Sequence, residues 1–468
     1  MYSAVLAAVL LINAPAPAPS SWRACAEGEC RNLRVPLDHA HPAGRKITLA
    51  LSRVRHTAGG HYQGVLLVNP GGPGGTGRDF ARTVASGLPK NLRQAYDVIG
   101  FDPRGVGGSR PALSCEPHYS DPGRPVYAPV AQRAWLKRAA SYARACGRKY
   151  GRLLAHMTTV DAARDMDLIR ASLGVPKINF YGGSYGTYLG AVYATLYPGR
   201  VRRMVLDSNV RPSGIWYQDN LDQNLAFEKN LRAFFAWTGR HHRVYGLGRT
   251  GRTVARSFSR TRDSLNVHPA GKKIGGNELT DLFQIAGYTT GWWAELAGAL
   301  AQWTHDHDAA GLLRAYKLAR LGQGDNDYAV YSAVQCTDVR WPRDWGTWRR
   351  DAARVNRRAP WVTWQNTWFN APCRVWPAPA GKPVRIRSNG RFLLLQATHD
   401  GATPYRGGVE MHRLIKRSRL VVENGGRTHV IAQNGNRCVD DRFHAYLATG
   451  ALPGKKVTHC ARLPYPKP

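Results

Sequence analysis

The sequence predicts an α/β fold, a mostly parallel sheet with helices on both faces that is interrupted by a helical insertion. Three observations predict it. Apolar strand-like runs alternate with amphipathic helical runs from about Arg45 to Leu206. A serine flanked by glycines, in Gly182-Gly183-Ser184-Tyr185-Gly186, lies between one such strand and the next helix. Between about Pro212 and Ala380 the alternation stops in favour of long, Trp-rich amphipathic helices, and it resumes at Arg391.

In chain order, Ile47 to Arg55 reads as a strand, Gly64 to Asn69 as a short buried one and Tyr96 to Phe101 as a third. Ala134 to Tyr150 and Val160 to Leu173 have helical periodicity, with Thr159 placed as the N-cap before Asp161. Lys177 to Tyr181 is a strand that runs directly into the Ser184 turn and the helix Thr187 to Leu196. Val201 to Leu206 is the next strand. The insertion is read as helices over Asn220 to Trp237, Glu278 to Trp303 and Ala309 to Leu321. Arg391 to Gln396 and Arg419 to Glu423 return to the strand pattern, and Cys438 to Thr449 closes with a helix. The expected division is a signal segment over 1–20, a core over 21–211 and 381–468, and a helical insertion over 212–380.

The chain has 468 residues, 43% of them hydrophobic and 10% aromatic, which supports a sizeable core. Its 66 Lys+Arg against 31 Asp+Glu give a formal charge of +35, a balance that raises the question of nucleic acid. The charge is spread along the whole chain, Arg far outnumbers Lys, and no zinc-finger spacing, basic region leading into heptads or RNA-binding aromatic signature occurs. Nucleic acid is therefore not an expected partner; weak adhesion to an anionic wall is. No run of about 18 apolar residues reads as an ordinary membrane-spanning helix.

The first residues, Met1 to Ile12 followed by an Ala-Pro tract, resemble a secretory signal with cleavage near Ala14 to Ala18, although a positive leading region is missing. The eight cysteines support export, being even in number and without a CxxC pair. Paired in order they would join Cys25 to Cys30, Cys115 to Cys146, Cys336 to Cys373 and Cys438 to Cys460.

The Ser184 segment fits the G-x-S-x-G nucleophile elbow in the context the motif needs, after a strand and at the start of a helix. A serine hydroxyl needs a base, and the base needs an orienting acid. In folds carrying this elbow the chain order is Ser, acid, His. Asp400 ends the strand Arg391 to Gln396 and opens a loop at the sheet edge where catalytic groups collect. Of the histidines that follow, His412 and His444 fall in helices and His459 in the tail. His429 alone sits in a Gly-rich loop directly after a strand. A second glycine loop, Asn69 to Gly77, lacks the lysine and spacing of a phosphate cradle. Its position after a strand suits an oxyanion hole built from the N–H groups of Gly72 and Tyr185. Asp102 precedes Ser184 and is read as a structural turn residue.

Together these segments resemble the secreted tripeptidyl aminopeptidase branch of the proline iminopeptidase-like α/β-hydrolases, over most of the chain from about Cys30 to Cys460. The resemblance rests on Val35-Pro-Leu-Asp38, Asn69 to Gly77, Gly100 to Ser109, Gly182 to Gly186, Thr403-Pro404 after Asp400, and Cys438-Val-Asp440. It implies an α/β-hydrolase fold with a helical cap, a Ser184, Asp400 and His429 triad, and release of short peptides from free N-termini. Two departures flank the triad: Gly401 and Ala402 separate Asp400 from Thr403, and Thr428 and Val430 replace the glycines usual beside the histidine. Asp338, in a Cys-x-Asp segment matching the branch, is expected to hold the substrate ammonium. Asp222, Glu228, Glu278 and Glu295 are the other carboxylates considered for that task.

The expected function is a secreted serine aminopeptidase working through an acyl-enzyme, with no metal or organic cofactor. An esterase or lipase on the same triad is the nearest alternative. A noncatalytic binder of anionic wall is the alternative from another class.

Overall fold

The computed structural model describes residues 21–320 and 324–468; the signal segment expected over 1–20 lies outside them. Among the described residues ten strands form a single sheet: β1 (Arg23–Cys25), β2 (Gly28–Pro36), β3 (Lys46–Val54), β4 (Gly64–Asn69), β5 (Tyr96–Asp102), β6 (Ile178–Gly183), β7 (Val201–Asp207), β8 (Leu393–Ala397), β9 (Arg419–Asn424) and β10 (Val457–Ala461). The spatial order is β1-β2-β3-β5-β4-β6-β7-β8-β9-β10. Pairs are antiparallel as far as β3 with β5 and parallel from β5 to the β10 edge.

The buried parallel strands are apolar throughout, as two covered faces require. Along β4, Val65 and Leu67 face one core with Ile99 and Phe180, while Leu66 and Val68 face the other with Tyr181 and Val205. In the register, Asn69 is opposite Gly182, Gly183 opposite Asp207, and Ala397 opposite Glu423. The loops that follow β4, β6, β7, β8 and β9 therefore leave from one edge of the sheet. Beneath them, Arg104 is fully buried and holds Asp165 through two contacts of 2.8 Å, with a third nitrogen on the carbonyls of Leu37 and His156. Asp102 is the structural residue its position suggested, accepting from the N–H groups of Gly77, Arg78 and Gly108.

Between β7 and β8 the chain is helical, from Pro212–Gly214 to Ala371–Val375. This stretch has its own core, in which Phe234, Trp237, Phe258, Phe283 and Trp293 pack together. The helix expected over Glu278 to Trp303 is two helices, Gly276–Tyr288 and Trp293–Asp306, separated at Thr289 and the short turn Thr290–Trp292. The break has a local cause. Thr289 is extended and its hydroxyl accepts from Gly291 N–H, an alternative to helical bonding that paired threonines and a glycine favour. The N-cap of the helix Thr159–Ser172 is Thr158, whose hydroxyl accepts from Asp161 N–H, rather than Thr159. Strands β1, β2 and β10 were not expected from the sequence.

Four disulfides join the cysteines in chain order, Cys25–Cys30, Cys115–Cys146, Cys336–Cys373 and Cys438–Cys460. No helix among the described residues is long and apolar enough to cross a membrane.

Candidate active site

Ser184 stands between β6 and the helix Tyr185–Leu196 with φ +56°, a left-handed backbone that a serine adopts only when its surroundings hold it there. Its N–H donates to the carbonyl of Asp207, and its own carbonyl takes the N–H of Thr187. The glycines around it are needed for space. A Cβ on Gly182 would lie 2.5 Å from the Gly186 carbonyl oxygen. The loop after β4 presses on the turn from the other side. Gly71 has φ +104°, and a Cβ there would lie 2.7 Å from Ser184 Cβ and 3.0 Å from Tyr185 N. Gly72 follows Gly71, so the two N–H groups singled out in the sequence, those of Gly72 and Tyr185, come from segments that touch at Ser184. Among the described residues neither N–H is donated to a protein acceptor.

Asp400 follows β8 and is buried. Its Oδ1 accepts from the N–H groups of Ala402 and Thr403, both at 2.9 Å, and its Oδ2 accepts from Thr403 Oγ1 at 3.0 Å. Gly401 and Ala402, which depart from the usual acid loop, thus leave the carboxylate fully supported. Both oxygens lie 2.9 Å from His429 Nδ1, the arrangement that fixes one imidazole tautomer. Burial opposes the charged imidazolium, but the Asp400 charge and hydrogen bond, with a contribution from Asp207, outweigh it and raise the His429 pKa.

The His429 backbone is gripped from two sides. Its N–H donates to the Tyr288 carbonyl at 2.7 Å, and the Tyr288 ring meets the imidazole edge-on at 5.7 Å. That carbonyl is free because the helix Gly276–Tyr288 ends there. After His429, Val430 N–H donates to Ser208 Oγ at 2.7 Å, and Ile431 and Ala432 N–H donate to the Asp207 carboxylate at 3.0 and 2.8 Å. A Cβ on Gly183 would lie 3.1 Å from Val430 Cγ2, so the histidine loop lies directly against the Ser184 turn. Among the hydrogen bonds of His429, those of Nδ1 go to Asp400 and Thr403, and none joins it to the Ser184 hydroxyl.

Asp338 has a different place from the one expected. It is buried, and its oxygens are held by the N–H and hydroxyl of Thr159, both at 2.6 Å, and by Trp216 Nε1 at 3.1 Å. Burial pushes its pKa up to about 6 against those donors. With three neutral donors already on it, Asp338 ties the helical stretch to the helix Thr159–Ser172 and is not presented as an ammonium anchor. The other carboxylates considered are ion-paired: Asp222 with Arg211, Glu228 with Arg232, Glu278 with Arg124 and Glu295 with Arg314.

Sequence reasoning missed Asp207, Ser208 and Tyr288. For Asp207 a signal was present, since β7 ends in an apolar run capped by a carboxylate, Val205-Leu206-Asp207. For Tyr288 none was, because its role comes from a helix end that periodicity did not place.

The family model described as the alpha/beta hydrolase fold matches residues 64–432. The tripeptidyl aminopeptidase of Streptomyces coelicolor is 40% identical, over 96% of this chain and 87% of its own length. The serine protease Hip1 of Mycobacterium tuberculosis is 30% identical over 91% of this chain and 86% of its own. A Mycobacterium tuberculosis protein named carboxylesterase B is 31% identical over 94% and 90%. The chain belongs to the α/β-hydrolase fold family, in the branch that contains the Streptomyces tripeptidyl aminopeptidases.

Proposed function

We propose that this protein is an exported serine exopeptidase that releases short peptides, in the manner of a tripeptidyl aminopeptidase, from substrates with free N-termini. Ser184 is the nucleophile, His429 the general base and acid, and Asp400 the residue that orients His429 and stabilises its charged form. The observation that carries the reading is the buried Asp400–His429 pair, set by backbone bonds against a left-handed Ser184 at the helix start. The 40% identity to a tripeptidyl aminopeptidase, over nearly the whole chain, supports the substrate class.

In the first half-reaction His429 Nε2 takes the Ser184 hydroxyl proton as Oγ adds to the scissile carbonyl carbon. The oxyanion is received by the free N–H groups of Gly72 and Tyr185, helped by the positive end of the helix Tyr185–Leu196. His429 then gives its proton to the leaving amine, which departs with the rest of the substrate. Water, deprotonated by the same imidazole, adds to the acyl carbon, and the C–O bond to Ser184 breaks as Oγ takes the proton back from His429, freeing the short peptide with a new carboxyl group. Tyr288 and Phe227, in ring contact with each other at 4.9 Å, bring the helical stretch over the acid and histidine loops, a placement that would restrict access to narrow chain ends.

Four disulfides suit an oxidising compartment outside the cytosol, in keeping with the signal-like start of the sequence. A second reading, an esterase on the same triad, is favoured by the relative named carboxylesterase B. Cleavage of a tripeptide anilide with its N-terminus free or acetylated separates the two, because an esterase has no use for the amine and prefers acyl esters.

A further inference from the structure

We propose that Asp207 is a positioning residue for the catalytic base, a second carboxylate that locks the His429 loop to the Ser184 turn and adds its negative charge behind the imidazole. The inference rests on the triad reading above and goes beyond it, because that triad needs only one acid.

Asp207 is the last residue of β7 and has no exposed surface. It bonds in three directions. Its carbonyl oxygen accepts from Ser184 N–H at 2.9 Å. Its carboxylate accepts from Ile431 N–H on Oδ1 at 3.0 Å, and from Ala432 N–H and the Tyr181 hydroxyl on Oδ2 at 2.8 and 3.3 Å. One residue therefore holds the nucleophile's backbone and the two residues just past Val430. Ser208 adds the bond from its hydroxyl to Val430 N–H. Among the described residues no Arg, Lys or His forms an ion pair with Asp207, so the carboxylate is buried here for two backbone N–H groups and one tyrosine hydroxyl.

The conformations it joins are costly ones. Ser184, Ser208 and Val430 have φ of +56°, +63° and +61°. For Val430, a β-branched residue, that region is an outlier. Such backbone persists only where surrounding bonds over-determine it. Those bonds converge on Asp207 and its neighbour Ser208.

The carboxylate also acts through its charge. The titratable groups around His429 are Asp400 from the loop after β8, Asp207 from the end of β7, and Tyr288 from the helical stretch. Those around Asp207 are His429 and Tyr181, with Asp440 behind Tyr181. Burial pushes Asp207 up to about 6, against the pull of its two backbone donors and of His429. Above that pH it is ionised and favours the imidazolium, in addition to Asp400.

The test is the rate at which a fluorophosphonate labels Ser184, followed against pH in the full-length oxidised protein, because labelling needs the triad but no particular substrate. Asp207→Asn replaces one of the two carboxylate oxygens that receive Ile431 and Ala432 N–H by an NH2 that cannot accept, and carries no charge. It should label about tenfold or more slowly, with the acid limb of the profile moved to lower pH, since His429 loses a neighbouring anion. Ser208→Ala keeps the charge and loses only the Val430 bond, so it should label more slowly with the limb unmoved. An Asp207→Asn profile with the wild-type limb and rate overturns the proposal. If that variant does not fold, as judged by circular dichroism, Asp207→Glu takes its place, keeping the charge but moving the carboxylate off Ile431 and Ala432 N–H, and wild-type labelling in it overturns the proposal. Failure of the wild-type protein to label at Ser184 would count against the triad reading itself, a distinguishable result.

Discussion

Ser184 is set apart by its backbone geometry, with φ +56° at the start of a helix. The left-handed turn lifts its hydroxyl off the sheet edge and leaves Tyr185 N–H free. At about 1–3 kcal/mol for each strained residue, the positive φ values of Ser184, Ser208 and Val430 are a substantial load in one small volume. His429 and Asp400 were legible in the sequence because motif order and loop position select them. Asp207 was not selected, because a carboxylate at a strand end reads as a turn residue until the partner loop is known. Asp338 misled for the converse reason: its segment matches the branch, but burial by Thr159 and Trp216 is invisible in one dimension. The pH dependence follows from His429. The base works as the neutral imidazole, so activity is lost as pH falls through its raised pKa, and the acid limb of kcat/KM should lie above the ordinary value of about 6.5. Asp400→Asn removes the charge that does most to raise it. That variant should lose about 10⁴-fold in kcat, with its residual acid limb moved to lower pH in a pH–rate profile.

Among the elements, strands were read well where apolar runs sit between glycines, and the parallel core from β4 to β9 followed from alternation alone. Edge strands were harder. β10, Val457-Thr-His-Cys-Ala461, has no two-residue apolar alternation, and its place is set by pairing with β9 and by Cys438–Cys460. Periodicity ran through the break at Thr289 because both flanking helices are apolar on a continuing face, while threonine hydroxyl competition acts on the backbone. The helix Asp325–Asp338 shows how one element couples to the site. A Cβ on Gly74 would lie 2.6 Å from the Asp327 carbonyl oxygen, so this helix buttresses the glycine loop, and Cys336–Cys373 fastens its far end. Replacing both cysteines by serine should lower stability by about 2–5 kcal/mol, read as a fall in unfolding midpoint. Activity should fall with it at temperatures where the variant is still folded, as the glycine loop loosens.

Across the whole molecule the charge is a property of the surface. Some acidic side chains are committed to arginine partners, as Asp167 is to Arg170 and Glu29 to Arg53, and among the described residues few arginines are buried, Arg31, Arg104 and Arg203 being the ones that are. At +35 the field favours anionic polymers at long range, but salt at physiological strength screens it beyond about 8 Å. Retention on an anionic resin should therefore be strong at low salt and fall steeply as salt is added; retention insensitive to salt would exclude an electrostatic association. The proposed chemistry uses the loops after β4, β6, β7, β8 and β9. The central claim concerns what those loops cleave. It is tested most directly by comparing a tripeptide anilide with its N-acetylated form, in the wild-type protein and in Ser184→Ala. The account predicts rapid release of the anilide from the free peptide, little from the acetylated one, and none from either in Ser184→Ala. Equal cleavage of the free and acetylated peptides, or cleavage that survives Ser184→Ala, would contradict it.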